Sequence, residues 1–279
     1  MQIKEMLNNK AIRNRIIVLG ICAATVLVLL VSIIIGGVNR KKADKIYEEM
    51  RTQQSSVAPE GEGATPRAEA EPESATEADL GGQSESEPQE EEESYPDFAK
   101  LQEENPDIYA WISIPDTSIE YPVLQHATDN AYYLEYNLDG SKGRPGCIYS
   151  EKENSKDFTD FQTILYGHNM RNGTMFHDLT YFVEEDYFAQ HPYIIIYTEA
   201  AIYRYRIFAA YEYSDEHLLY AFSYDTEEGR ERYIERIAGY NVLGDEAKLS
   251  ADSKILTLST CVTGENDRRL LVQGVLIEE

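Results

Sequence analysis

The sequence predicts a mainly β domain held behind one membrane-spanning helix. Three observations predict it. Residues 16–38 contain no charged side chain. Residues 51–94 contain no aromatic residue and are dominated by Glu, Ser, Ala, Pro and Gly. From Tyr95 onward, short apolar runs alternate with turn residues, and all the tyrosines except Tyr47 lie there.

The span comes first. Its 23 residues make a helix of roughly 35 Å at about 1.5 Å per residue, enough to cross a hydrocarbon core of about 30 Å. A signal peptide has a shorter apolar stretch and a small-residue cleavage site. Here Gly36-Gly37-Val38-Asn39-Arg40-Lys41-Lys42 follows, which predicts an uncleaved anchor. Basic residues flank both ends, so charge alone leaves the orientation open.

Residues 51–94 carry thirteen acidic side chains against two basic ones and are interrupted by Pro59, Pro66, Pro72 and Pro88. Such a segment cannot bury enough apolar surface to offset chain entropy. It predicts a disordered linker, within a 39–94 juxtamembrane and linker region. Residues 1–94 are thereby expected to serve location and not chemistry.

The 95–279 stretch suits one domain. Runs with strand character are 111–114, 119–124, 146–149, 162–166, 193–197, 202–213, 254–258 and 270–277. Two stretches predict helix. One is Phe98 to Ala110, broken at Pro106. The other is 226–239, with Asp225 as N-cap, Glu228 three residues on, and an apolar stripe of Tyr233, Ile234, Ile237 and Ala238. Many strands and few helices indicate a mainly antiparallel barrel or sandwich.

The formal net charge is −25. No basic patch is present to neutralise phosphates, which excludes a nucleic-acid partner. No Cys/His/carboxylate cluster has metal-ligand spacing, so neither a metal nor another cofactor is expected. Of three cysteines, Cys22 lies in the span. Cys147 lies in a short apolar run and is expected to be buried and inert. Cys261 ends the run Ile255-Leu256-Thr257-Leu258-Ser259-Thr260-Cys261. His168 ends a second run, Thr163-Ile164-Leu165-Tyr166-Gly167-His168. Arg268-Arg269 opens a third, Leu270 to Ile277. A thiol, an imidazole and a guanidinium at strand ends suit a nucleophile, an acid–base and an oxyanion stabiliser. His126, His177, His191 and His217 sit in contexts for which surface or structural roles suffice.

These residues carry a resemblance. Asn105-Pro106-Asp107-Ile108-Tyr109-Ala110-Trp111, Asp129-Asn130-Ala131-Tyr132-Tyr133-Leu134, Tyr166-Gly167-His168-Asn169-Met170 and Thr257-Leu258-Ser259-Thr260-Cys261 together resemble a class B sortase. That family comprises membrane-anchored cysteine transpeptidases of Gram-positive bacteria. The helix inserted between the 202–213 and 254–258 strands points to class B. Cys147 departs from the small residue that relatives carry there. The resemblance implies a closed β-barrel with an N-terminal helical segment, and an anchor with residues 1–15 cytoplasmic and residues 95–279 outside the cell. It implies Cys261, His168 and Arg269 as the catalytic set, Arg269 being the arginine directly before the strand. It implies Asn130, Leu134, Ser259 and Thr260 along the substrate peptide. The implied partners are secreted proteins bearing a C-terminal sorting signal, cleaved after Thr, and an amine of a cell-wall precursor peptide. The alternatives are an inactive membrane-tethered binding module and a hydrolytic cysteine peptidase.

Overall fold

The structure is a computed structural model that describes residues 10–55, 95–265 and 267–278. Most of the acidic linker expected at 51–94 lies outside the described residues.

Helix α1, Lys10–Ser55, is a single element of 46 residues. Its most apolar window has a mean hydropathy of 3.0 and none of it is buried within the protein. Apolar side chains are exposed on every face, from Ile17 through Leu27 and Leu30 to Val38. A helix apolar all round needs an apolar surrounding, and this one is long enough to cross a bilayer.

Beyond Val38 the same helix becomes amphipathic. Ala43, Tyr47 and Met50, at i, i+4 and i+7, are buried in the main core of the folded domain. Asn39 donates to the Lys142 carbonyl, and Lys42 pairs with Asp139 at 2.7 Å. Residues 43–51, expected to serve location and not chemistry, thus also take part in the domain's packing. A polar, charge-rich helix turn gives no hint in sequence that a partner surface lies about a hundred residues away.

Helix α2, Phe98–Glu104, is capped by Asp97, whose side chain accepts from the Lys100 amide at 3.1 Å. It ends before the Asn105-Pro106 pair, where proline disfavours helix in the preceding residue. The expected helix to Ala110 is thus too long. Ile108 and Ala110 instead belong to strand β1, Ile108–Ser113.

Seven further strands follow: β2 Glu120–Leu124, β3 Ile148–Ser150, β4 Gln162–Tyr166, β5 Tyr193–Tyr197, β6 Ile202–Ser214, β7 Ile255–Cys261 and β8 Arg268–Glu278. They close into a barrel in the order β1-β2-β3-β4-β7-β8-β6-β5. Most pairs are antiparallel, but β2–β3 and β4–β7 are parallel. Parallel neighbours need crossover connections. The β2–β3 crossover carries helix α3, Tyr132–Glu135, and the β4–β5 connection carries helix α4, Glu185–Gln190. The β6–β7 connection carries helix α5, Leu218–Ala221, and helix α6, Glu227–Ile237. Thr226, not Asp225, caps α6, accepting from the Gly229 amide at 3.1 Å. Tyr233 and Ile237 from the predicted stripe pack into a second core with Phe208 and Leu271.

Candidate active site

The parallel β4–β7 pair brings the signature residues together. Tyr166 of β4 is in register with Ser259 of β7, so both strands run out at the same rim of the barrel. Gly167 and His168 continue β4; Thr260 and Cys261 end β7. Three bonds lace the two ends. The Gly167 amide donates to the Ser259 carbonyl at 3.2 Å, the Thr260 hydroxyl to the Gly167 carbonyl at 2.8 Å, and Asn169 Nδ2 to the carbonyl of Cys261 itself at 3.0 Å. Only glycine fits at 167, since a Cβ there would sit 2.4 Å from Ile148 Cδ1 and 2.7 Å from Phe176.

The antiparallel β7–β8 pair adds the guanidinium. Cys261 lies directly opposite Arg269 in the ladder. Side chains alternate faces along a strand, so Arg268 points to the other side. There it pairs with Glu212 at 2.8 Å. The sequence left two arginines as neighbours; the register separates their faces.

Cys261 is exposed and is a free thiol. His168 is half-buried. Its Nε2 lies 2.9 Å from the Leu134 carbonyl. A carbonyl can only accept, so Nε2 carries the hydrogen and Nδ1 is the basic nitrogen of the neutral ring. Burial lowers the affinity of His168 for a second proton; the Leu134 carbonyl partly offsets this, and Arg144 reinforces it. Cys147 is the contrasting thiol, fully buried, with its pKa pushed up to about 12 by burial.

Cys261, His168 and Arg269 open onto one groove of about 250 Å³. Leu134, Ser259 and Thr260 line it too. Leu134 is exposed and also holds His168 through its carbonyl. Thr260 is buried with its hydroxyl bonded to Gly167, so it braces the strand ends. Asn130 is not among the lining residues. Its side chain donates to Glu153 at 2.7 Å and accepts from the Lys152 amide at 3.1 Å.

Sequence reasoning missed one pair in this groove. Glu151 Oε1 accepts from His217 Nε2 at 2.8 Å, while Glu151 Oε2 is buried without a hydrogen-bond partner. Burial raises the Glu151 pKa; the bond to His217 works against that rise. Glu151 follows β3 and His217 follows β6, with β4, β7 and β8 between them. Residues 213–218 therefore form one wall of the groove, and the His217 ring lies 6.4 Å from that of Tyr166. The available signal was weak: the two-residue spacing from Tyr149 puts Glu151 on the same face, but nothing local links it to His217.

Known proteins share this fold. The profile of the Sortase domain matches residues 112–277. Sortase B of Listeria monocytogenes is 35% identical over 179 residues, covering 63% of this chain and 72% of that protein. The X-ray structure of Clostridium perfringens sortase B superposes with a TM-score of 0.59 at 31% identity, covering 65% of this chain and 100% of that one. A Staphylococcus aureus sortase B–substrate complex gives a TM-score of 0.59 at 27% identity, covering 65% and 84%. The chain belongs to the sortase family. It is a cysteine transpeptidase of the sortase B type.

Proposed function

We propose that Cys261, His168 and Arg269 carry out the transpeptidation, and that the anchored chain performs it at the outer face of the cell membrane. The observation that carries this reading is the register: an exposed thiol ends β7, a guanidinium stands opposite it on β8, and an imidazole lies two residues beyond the end of the adjoining β4.

In this reading the C-terminal sorting signal of a secreted protein lies along the groove. The Cys261 sulfur attacks the carbonyl carbon after the Thr, and neutral His168 takes the thiol proton. The Arg269 guanidinium stabilises the oxyanion that develops. His168 returns the proton to the departing amide nitrogen, the C–N bond breaks, and a thioester remains. An amine of a cell-wall precursor peptide then attacks the thioester, His168 takes its proton, the C–S bond breaks, and His168 returns the proton to the departing Cys261 sulfur, which restores the thiol and the neutral imidazole. Asp215 and Glu216 line the same groove in a strongly acidic chain, a field that attracts a cationic amine. Leu134 and Ser259 contact the peptide, and Asn130 contributes from the rim through the 152–153 turn it holds.

Residues 16–38 span the membrane once with residues 1–15 in the cytoplasm. The catalytic domain at 95–279 lies outside the cell. Residues 39–94 join the two.

The test is product analysis. The full chain in detergent is given a peptide bearing a sorting signal, with and without an added amine. Transfer to the amine at the expense of free acid is the expected result. Hydrolysis at the same rate whatever the amine concentration would replace this reading with a peptidase.

A further inference from the structure

His168 is held from two sides, and one stretch of α1 touches both supports. On the first side, Leu134 presents its carbonyl to His168 Nε2. The α3 turn that carries Leu134 is pinned by the Cys147 amide, which donates to the Tyr133 carbonyl at 3.0 Å. Next to it, Gly146 adopts a left-handed φ of +70°. A Cβ there would lie 2.7 Å from the Tyr133 carbonyl, 3.2 Å from the Leu134 carbonyl and 3.5 Å from His168 Cδ2. Gly146 is therefore packed against the very groups that hold the imidazole. Its own carbonyl accepts a buried hydrogen bond from the Tyr47 hydroxyl of α1, at 2.9 Å.

On the second side, the loop after His168 returns so that the Phe176 amide donates to the His168 carbonyl at 3.0 Å. The adjacent Met175 amide donates to the Tyr121 hydroxyl at 2.8 Å. The Tyr121 ring is packed edge-on by Tyr47, with centroids 5.3 Å apart, and covered by the Arg51 guanidinium at 4.3 Å. Arg51 also donates to the carbonyls of Glu120 and Ser118. Tyr47 thus stands at the junction of both routes.

We propose that the segment of α1 beyond the membrane span is a positioning element for His168, acting through Tyr47 on Gly146 and Tyr121. The anchor helix then does more than hold the enzyme at the membrane, because its seating sets how the imidazole is presented to the groove. This rests on His168 being the acid–base group, so the test includes a measurement that does not depend on activity. A continuous helix from span to docking face also means that displacing the barrel relative to the bilayer would pull on this contact.

The experiment compares three full-length proteins in nanodiscs: wild type, Tyr47→Phe and Lys42→Ala. Tyr47→Phe removes only the hydroxyl that reaches Gly146. Lys42→Ala removes a contact of the same helix, to Asp139, that involves neither Gly146 nor Tyr121. The titration of the His168 ring is followed by NMR with labelled histidine, beside kcat, KM and melting temperature. The other titratable or charged groups near the ring and groove, Arg144, Cys261, Arg269 and Glu151, have no contact with the Tyr47 hydroxyl; the Cys147 thiol does, and loses it in Tyr47→Phe. Tyr47→Phe is expected to shift the His168 titration and to lower kcat about three- to tenfold, the size of one hydrogen bond, with KM unchanged. Lys42→Ala is expected to match wild type in both. A wild-type His168 titration in Tyr47→Phe would overturn the proposal whatever the activity. So would equal effects of both substitutions in proportion to their melting temperatures, which would make the contact merely structural. Should Tyr47→Phe fold poorly, Arg51→Gln reports the Tyr121 route by the same readouts. A shifted titration with unchanged kcat would leave the positioning intact and instead remove His168 from the chemistry.

Discussion

Cys261 and Arg269 are direct cross-strand partners at the open end of the β7–β8 ladder. Opposed residues on one face of an antiparallel pair have Cβ atoms about 5 Å apart, within easy reach of a guanidinium. Arg268 faces the other way and is tied to Glu212. Arg269→Ala is therefore expected to lower kcat/KM by about 10²–10³, as for loss of an oxyanion donor. Arg268→Ala loses a surface ion pair and should stay within about twofold of wild type. Steady-state kinetics on a sorting-signal peptide checks both. The reverse ranking would put the catalytic face of β8 one residue out.

The two thiols of the folded domain should behave oppositely. Cys261→Ala is expected to abolish cleavage and transfer. Cys147→Ala should keep most activity. A thiol-reactive probe followed by mass spectrometry should modify Cys261 in the folded enzyme and reach Cys147 only after denaturation, because burial both blocks access and disfavours the thiolate. Rapid labelling of Cys147 in the folded state would contradict its burial.

Burial lowers the pKa of His168, with a consequence for stability as pH falls. Between its folded value and the ordinary value near 6.5, the unfolded chain binds more protons than the folded one. Stability from this group is complete above about pH 6.5 and is lost as pH drops toward the folded value. The melting temperature of wild type minus that of His168→Asn should therefore decrease from pH 7 downward through that window. A flat difference would mean the ring titrates as it does in water.

Some of this architecture was legible in the sequence and some was not. The strand runs and the three strand-end residues were visible because apolar β-branched residues are locally distinctive and end abruptly at Cys261, His168 and Arg269. Tyr233 and Ile237 showed their helix stripe for the same reason. The 98–110 stretch misled because its apolar residues at 98, 101, 108 and 110 continue across a proline that in fact lies in the turn between helix α2 and strand β1. The two parallel pairings depend on closure of the whole barrel, which no local pattern encodes. Glu151 and His217 are 66 residues apart and follow strands that are separated by three others in the barrel. Tyr47 looked like an isolated tyrosine beside a membrane span, since its partner at Gly146 lies 99 residues away.

The Glu151–His217 contact joins two walls of the groove without being placed on the reacting atoms. Glu151→Gln keeps the shape and weakens the charge-assisted bond. It is expected to raise KM for the peptide about three- to tenfold with kcat nearly unchanged, because the substitution loosens a contact between two walls of the groove. Full saturation curves check this. A fall in kcat at constant KM would mean that Glu151 acts on the chemistry instead.

Docking of α1 also makes a prediction about where the folded unit begins. A chain starting at Tyr95 has every strand and all three proposed catalytic residues, so it should fold. It lacks Ala43, Tyr47 and Met50, which bury their side chains in the main core, and it leaves the Tyr121 ring uncovered. Burying a Tyr or Met side chain contributes about 1.5–3 kcal/mol, and each kcal/mol moves the melting temperature of a domain this size by about 2–4 °C. A chain starting at Asn39, without the span, should therefore melt on the order of 10 °C above one starting at Tyr95. Differential scanning calorimetry of the two soluble proteins decides it. Equal melting temperatures would show that residues 39–55 do not dock in solution. In that case the segment would be only the tether that its sequence resembles, and the route from Tyr47 to His168 would have no physical basis.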